Sequence, residues 1–154
     1  TQIITVALGV YYLPKLSSLN TNLELKKEIF HGIRKVIPLI IFLGFFIFWL
    51  KKWIILLLFS EDFSMMNGLI FPQLIGDFFM ILSFMIAYLM LAKAMVKLFV
   101  ISQIVFSTLQ IIFSVSFFNI AGIEGMIWAN TLNYFLYLIF VTIVFRKILF
   151  IKSN

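Results

Sequence analysis

The sequence predicts an all-α protein: a polytopic transmembrane helical bundle with about four full spans and the end of a fifth. Three observations predict it. Of the 154 residues, 64% are apolar and 12% charged, where soluble domains carry roughly 25% charged residues. The charges stand between long uncharged runs rather than being scattered through them. Those runs approach or exceed the roughly 20 residues that a helix needs to cross about 30 Å of hydrocarbon.

Residues 1–13 are apolar and end at Pro14, but as a helix they rise only about 20 Å, too little to cross. Because the chain begins without Met inside an apolar pattern, they read as the end of a truncated transmembrane helix of a longer protein. Residues 14–35 are charged and polar, with Leu25, Ile29, Ile33 and Val36 at helical spacing, as in an interfacial helix that lies on the membrane surface before turning in. The first full span is expected over about 36–58, with Lys51 and Lys52 snorkelling to the headgroups. It carries no polar stripe, so it should lie outermost, against lipid. Further spans follow over about 67–92, 97–118 and 123–145. Pro38 and Pro72 fall near the starts of two spans, where a missing backbone N–H costs least, and Gly122 and Gly125 permit the tight turn into the last. Glu124 falls in that helix's first turn, where an acid complements the dipole.

Lys and Arg set the orientation. Ten of the twelve fall on alternate connections, at 14–35, at Lys93 and Lys97, and in the tail at Arg146, Lys147 and Lys152; Lys51 and Lys52 fall on the other side. The ten belong in the cytoplasm, so the C-terminus is expected to be cytoplasmic.

Composition also excludes chemistry. Cysteine is absent and His31 is the single histidine, which leaves no thiolate site and little for zinc or a catalytic triad. Glycine-rich phosphate loops and catalytic dyads are missing too, so neither an enzyme nor a cofactor is expected. The net charge of +6 comes from residues at the ends of apolar runs, not from the interleaved patch that binds nucleic acid.

Within the spans, polar residues recur on single helix faces: Gln103, Ser107, Gln110 and Ser114; Asn130, Asn133, Tyr134 and Tyr137; and Gln73, Asp77, Phe84 and Tyr88. Two readings stand open. Such stripes hydrogen-bond packed helices to one another, or they line a wet cavity. Asp77 is the sharpest case, because a carboxylate near the midplane costs about 2.5–3.5 kcal/mol on insertion scales and requires a partner. That partner is Gln73 one turn away, an amide on another helix, a proton or a coupling ion. Lys93, at the mouth of such a cavity, could meet an anionic headgroup.

The order of several short motifs carries a resemblance. Tyr11-Tyr12-Leu13-Pro14-Lys15-Leu16-Ser17 closes one span, Gln73-Leu74-Ile75-Gly76-Asp77 opens another, Ala92-Lys93-Ala94 ends it, and Gly122-Ile123-Glu124-Gly125 precedes the last. This resembles the Wzx-type polysaccharide flippases of the multidrug/oligosaccharidyl-lipid/polysaccharide exporter superfamily, with the enterobacterial lipid III and O-antigen flippases as the nearest likeness. The resemblance implies a MATE-like fold of twelve helices in two six-helix lobes, of which this chain matches the end of helix eight and helices nine to twelve. It implies transport of an undecaprenyl-pyrophosphate-linked oligosaccharide from the cytoplasmic to the periplasmic leaflet of a bacterial inner membrane. The implied partners are the lipid bilayer, that glycan, the missing N-terminal lobe, a polysaccharide polymerase and a chain-length regulator. The family's central cavity maps at most onto Asp77, Lys93 and the stripes through Gln73, Tyr88, Gln103, Gln110, Asn130 and Asn133. A MATE-type cation or drug exporter, an integral-membrane polymerase or acyltransferase, and a non-transporting scaffold remain the alternatives.

Overall fold

A computed structural model of the chain describes residues 2–58 and 66–150, and every element in them is helical. In chain order these are α1 (Gln2–Ser17), α2 (Asn22–Leu58), α3 (Met66–Ala92), α4 (Val96–Val144) and the short α5 (Arg146–Leu149). Three helical stretches, Asn22–Leu50, Leu69–Ala92 and Val96–Val144, are long and apolar enough to cross a membrane.

The longest of these is a hairpin. Ala121 (φ −135°, ψ 17°) and Gly122 (φ 59°, ψ −139°) leave helical geometry, and the φ of Gly122 is one that a residue with a Cβ rarely adopts. The arms on either side, 96–120 and 123–144, fold back antiparallel, with the Phe106 ring 4.9 Å from Tyr137 and 5.5 Å from Phe140. Near the tip the backbones touch, because a Cβ on Gly125 would collide with the Phe117 carbonyl oxygen. Small residues permit such an approach, and with it the van der Waals contact that holds helices together in lipid.

α3 is the central helix, packed against α1, α2 and α4, whose second arm supplies Asn130, Thr131, Phe135 and Tyr137 to the contact. Its stretch from Met80 to Met90 is buried almost all round: Ile81, Ser83, Met85, Ala87, Leu89 and Met90 each expose 2% or less. The apolar half of α2 is the opposite case. Ile41, Phe42, Phe45 and Trp49 stand 61–71% exposed, as side chains facing lipid do in a chain of this composition.

Two expectations about the beginning of the chain need correction. No turn separates the charged stretch from the apolar run after it; α2 passes through both without a break. Pro38 therefore lies inside a helix, sixteen residues after Asn22, and not at a start. The start that does form is at Thr21, whose Oγ1 accepts from the Glu24 N–H (3.2 Å) while its own N–H donates to Glu24 Oε2 (3.2 Å). This reciprocal capping box places the N-terminus of α2 well before the hydrocarbon, and nothing between it and Pro38 can stop the helix.

The basic connections gather at one end of the bundle. Lys15 pairs with Glu28 at 2.7 Å, and Lys93 Nζ donates to Asn22 Oδ1 at 2.8 Å across 71 residues of sequence. α5 folds under the same end and buries Ile148 and Leu149 in one cluster with Leu16, Leu25 and Ile29. These side chains lie beyond the uncharged runs, where water is the alternative solvent, so each stabilises by about 1.5–3 kcal/mol relative to exposure. The turn from α3 into α4 is a Schellman closure, with Met95 N–H on Met90 O (2.7 Å) and Ala94 N–H on Leu91 O (3.0 Å). It holds Ala94 at φ 57°.

Candidate functional site

A cleft of about 250 Å³ opens between α3 and the two arms of α4. Phe84 comes from α3, Gln103, Phe106, Ser107, Gln110 and Ile111 from the first arm, and Asn133, Tyr134 and Tyr137 from the second. The 4-and-3 spacing keeps Gln103, Ser107 and Gln110 on one face of their arm, and the hairpin turns that face toward the matching face of the other. Gln103 Nε2 donates to the Tyr137 hydroxyl at 2.7 Å, joining the arms, and Gln110 Nε2 donates to Ser114 Oγ at 3.1 Å along its own arm.

Two acceptors in this cleft have no protein donor: Gln110 Oε1 and Asn133 Oδ1 are both buried and unsatisfied. Asn133 is only 5% exposed. Leaving such an atom without a hydrogen bond costs about 1–3 kcal/mol. A polar space with orphaned acceptors suits molecules that bring donors, such as water or hydroxyl groups.

The other candidates fall in three places. Gln73 Nε2 donates to Asp77 Oδ1 at 3.0 Å, one turn apart on α3. Asp77 is half-buried and lines a smaller space of about 150 Å³ toward α2, with Ile40, Leu43, Gly44, Ile47, Leu74 and Ile81. On its other side α3 meets the second arm closely. A Cβ on Gly76 would come within 2.8 Å of Thr131 Oγ1 and 3.4 Å of Asn130 Nδ2, which places Asn130 next to the Asp77 turn. Tyr88, a few turns on, faces α1, where its hydroxyl packs against Gly9. Lys93 stands exposed in the turn at the basic end, bonded to Asn22. The structure thus brings Gln103, Gln110 and Asn133 together, sets Gln73, Asp77 and Asn130 at a neighbouring level of α3, and separates Tyr88 and Lys93 from both.

Thr131 went unnoticed in the sequence. It is buried, and its hydroxyl lies 3.0 Å from the Pro72 carbonyl and 3.2 Å from the Ile127 carbonyl of its own helix. A Thr in an apolar span gives no signal by itself; its partner is a backbone atom on another helix. The capping box at Thr21 and Glu24 did carry a signal, the T-x-x-E pattern.

Long apolar helices, one of them folded into a two-armed hairpin around a polar cleft, define a multi-pass helical membrane protein. Over 136 residues the chain is similar to the proteins named Lipid III flippase of Escherichia coli (strain K12) and Shigella flexneri, at 29% identity in each case. The match covers 88% of this chain and 33% of each relative, so the chain spans about a third of the length of the curated proteins it resembles. Searches with protein-family profiles and against solved structures found no match.

Proposed function

We propose that the chain is part of a flippase for lipid-linked oligosaccharides, which carries an undecaprenyl-pyrophosphate-linked repeat unit such as an O-antigen or lipid III unit from the cytoplasmic to the periplasmic leaflet of a bacterial inner membrane. The observation that carries this reading is the pair of orphaned acceptors, Gln110 Oε1 and Asn133 Oδ1, inside a cleft between three spans. The similarity to the two Lipid III flippases supports it. Sugars and a diphosphate cannot enter hydrocarbon unshielded, because polar groups without hydrogen bonds are costly there, while a prenyl tail can stay in lipid. A hydrated cleft offers the sugar hydroxyls acceptors in place of water, and the step needs no covalent chemistry. In this reading the basic end faces the cytoplasm, the Gly122 tip faces the periplasm, and the N-terminal lobe of the longer protein completes the cavity. A glycan polymerase and a chain-length regulator would act on what the flippase delivers.

Reconstituted full-length protein with a labelled polyprenyl-diphosphate oligosaccharide tests it. Asn133→Leu and Gln110→Leu should each slow flipping at least tenfold while the melting temperature holds or rises. Unchanged flipping in both variants would remove the cleft from the transport path.

A second reading, export of an organic cation, is favoured by Asp77, whose carboxylate sits half-buried in an otherwise apolar space. It predicts that Asp77→Asn abolishes cation efflux and leaves glycan display intact, whereas the flippase reading predicts no cation efflux to lose.

A further inference from the structure

The charged half of α2 carries Lys27, His31 and Arg34 at 4- and 3-residue spacing, so all three lie on one face within about 60° of each other. All three are exposed, and with Phe30, Ile33 and Ile37 they line an open groove of about 560 Å³. The carboxylates nearest in sequence are engaged elsewhere: Glu24 closes the capping box with Thr21, and Glu28 pairs with Lys15. Glu24 acts on Lys27 through its charge, but no carboxylate forms an ion pair with Lys27 or Arg34 among the described residues, so the groove keeps an excess of positive charge that suits an outside anion.

The same spacing continues into the membrane. Ile41, Phe45 and Phe48 extend the face of Lys27, His31 and Arg34, and with Leu74 and Phe78 of α3 they line an almost wholly apolar groove of about 390 Å³ between α2 and α3. Along the helix Arg34 and His31 lie about 3 and 8 Å before Val36, where the uncharged run begins. That is the depth of a headgroup layer roughly 5–8 Å thick. Ile41 to Phe48 lie about 8–18 Å beyond Val36, matching the roughly 15 Å of hydrocarbon in one leaflet.

One helix face thus offers Arg34 and the His31 imidazole at headgroup depth, Lys27 one turn further toward water with a long side chain that can reach back, and an apolar channel directly below. We propose that this face is a binding site for an anionic glycerophospholipid of the leaflet at the basic end, its phosphate held by Lys27, His31 and Arg34 and one acyl chain lying in the α2–α3 groove. The site is separate from the polar cleft and does not depend on what passes through it.

Native mass spectrometry of the full-length protein, with phosphatidylglycerol and phosphatidylcholine of identical acyl chains, tests the proposal. The protein should retain phosphatidylglycerol in preference. Each cation removed should weaken retention about fivefold, so the Lys27→Gln/Arg34→Gln variant should bind about 25-fold more weakly, while Lys27→Arg/Arg34→Lys retains binding. Lys147→Gln, a charge lost at the same end but outside the groove, should change retention less than twofold. Phe45→Leu should keep the headgroup preference, whereas Phe45→Trp, which fills the channel, should weaken both lipids. A Lys147→Gln loss as large as that per groove cation would mean bulk surface charge and overturn the site. So would equal retention of phosphatidylcholine, or retention of a polyprenyl diphosphate with no phosphatidylglycerol bound.

Discussion

α2 and α3 are comparably apolar over their spans, yet 6% of the most apolar window of α2 is buried inside the protein and 50% of that of α3. Hydrophobicity therefore does not decide which helix is central. In water it would, but lipid tails are as apolar as Leu, and helices associate through close backbone approach and hydrogen bonds. α3 has the means for both: Gly76 lies against Thr131 and Asn130, the Pro72 carbonyl accepts from Thr131, and Ser83 and Ala87 are fully buried. Between Val36 and Leu50 α2 has bulky apolar side chains and one glycine, Gly44, where an added Cβ would meet Leu74 methyls only at 3.9 Å.

The largest test of this contrast is steric. Gly125→Val places a side chain on the Phe117 carbonyl, a backbone atom that cannot move aside, and should cost about 3 kcal/mol or more, read as a lower melting temperature in detergent or as lost expression. Gly44→Ala should stay within about 0.5 kcal/mol. If the two cost the same, close approach is not what selects the centre. Next comes charge: Phe45→Lys on the lipid face of α2 should raise the apparent insertion free energy by about 2.5 kcal/mol in a translocon assay, whereas Phe45→Leu should leave it unchanged. Inside the cleft, Asn133→Leu deletes a buried orphan acceptor and should stabilise the fold by about 1 kcal/mol, raising the melting temperature.

The helix ends sharpen the comparison with smaller effects. α3 closes on Ala94 in a left-handed conformation, so Ala94→Gly should stabilise by about 1 kcal/mol, visible as a shifted urea or heat midpoint. α2 opens on Glu24, whose carboxyl is held below its ordinary value of 4.5 by the hydrogen bonds from Thr21. A lowered folded-state value means that its contribution is complete above pH 4.5 and fades as pH falls through that lower value. Hydrogen exchange at the start of α2 should therefore accelerate on acidification, and Glu24→Gln should flatten that dependence.

Charge-free runs made the helical architecture legible, because run length and the spacing of polar residues depend only on local geometry. The polar stripes were legible for the same reason, and Gln73 was among the partners that the position of Asp77 demands. What the sequence hid were relations between helices. Nothing local says that Tyr88 turns to Gly9 or that Lys93 reaches Asn22. The uninterrupted run of α2 was misread because a change from charged to apolar residues looks like a boundary, although the backbone contains no signal to end there.

The four-residue α5 fastens the last described residues to some of the earliest. Ile148 and Leu149 complete a cluster whose other members include Leu25 and Ile29, about 120 positions upstream. During synthesis the ribosome must finish nearly the whole segment before this seal can form, so α2 waits with two greasy side chains uncovered while the hairpin is threaded into the bilayer. A nascent chain halted before Arg146 would leave that gap permanently open.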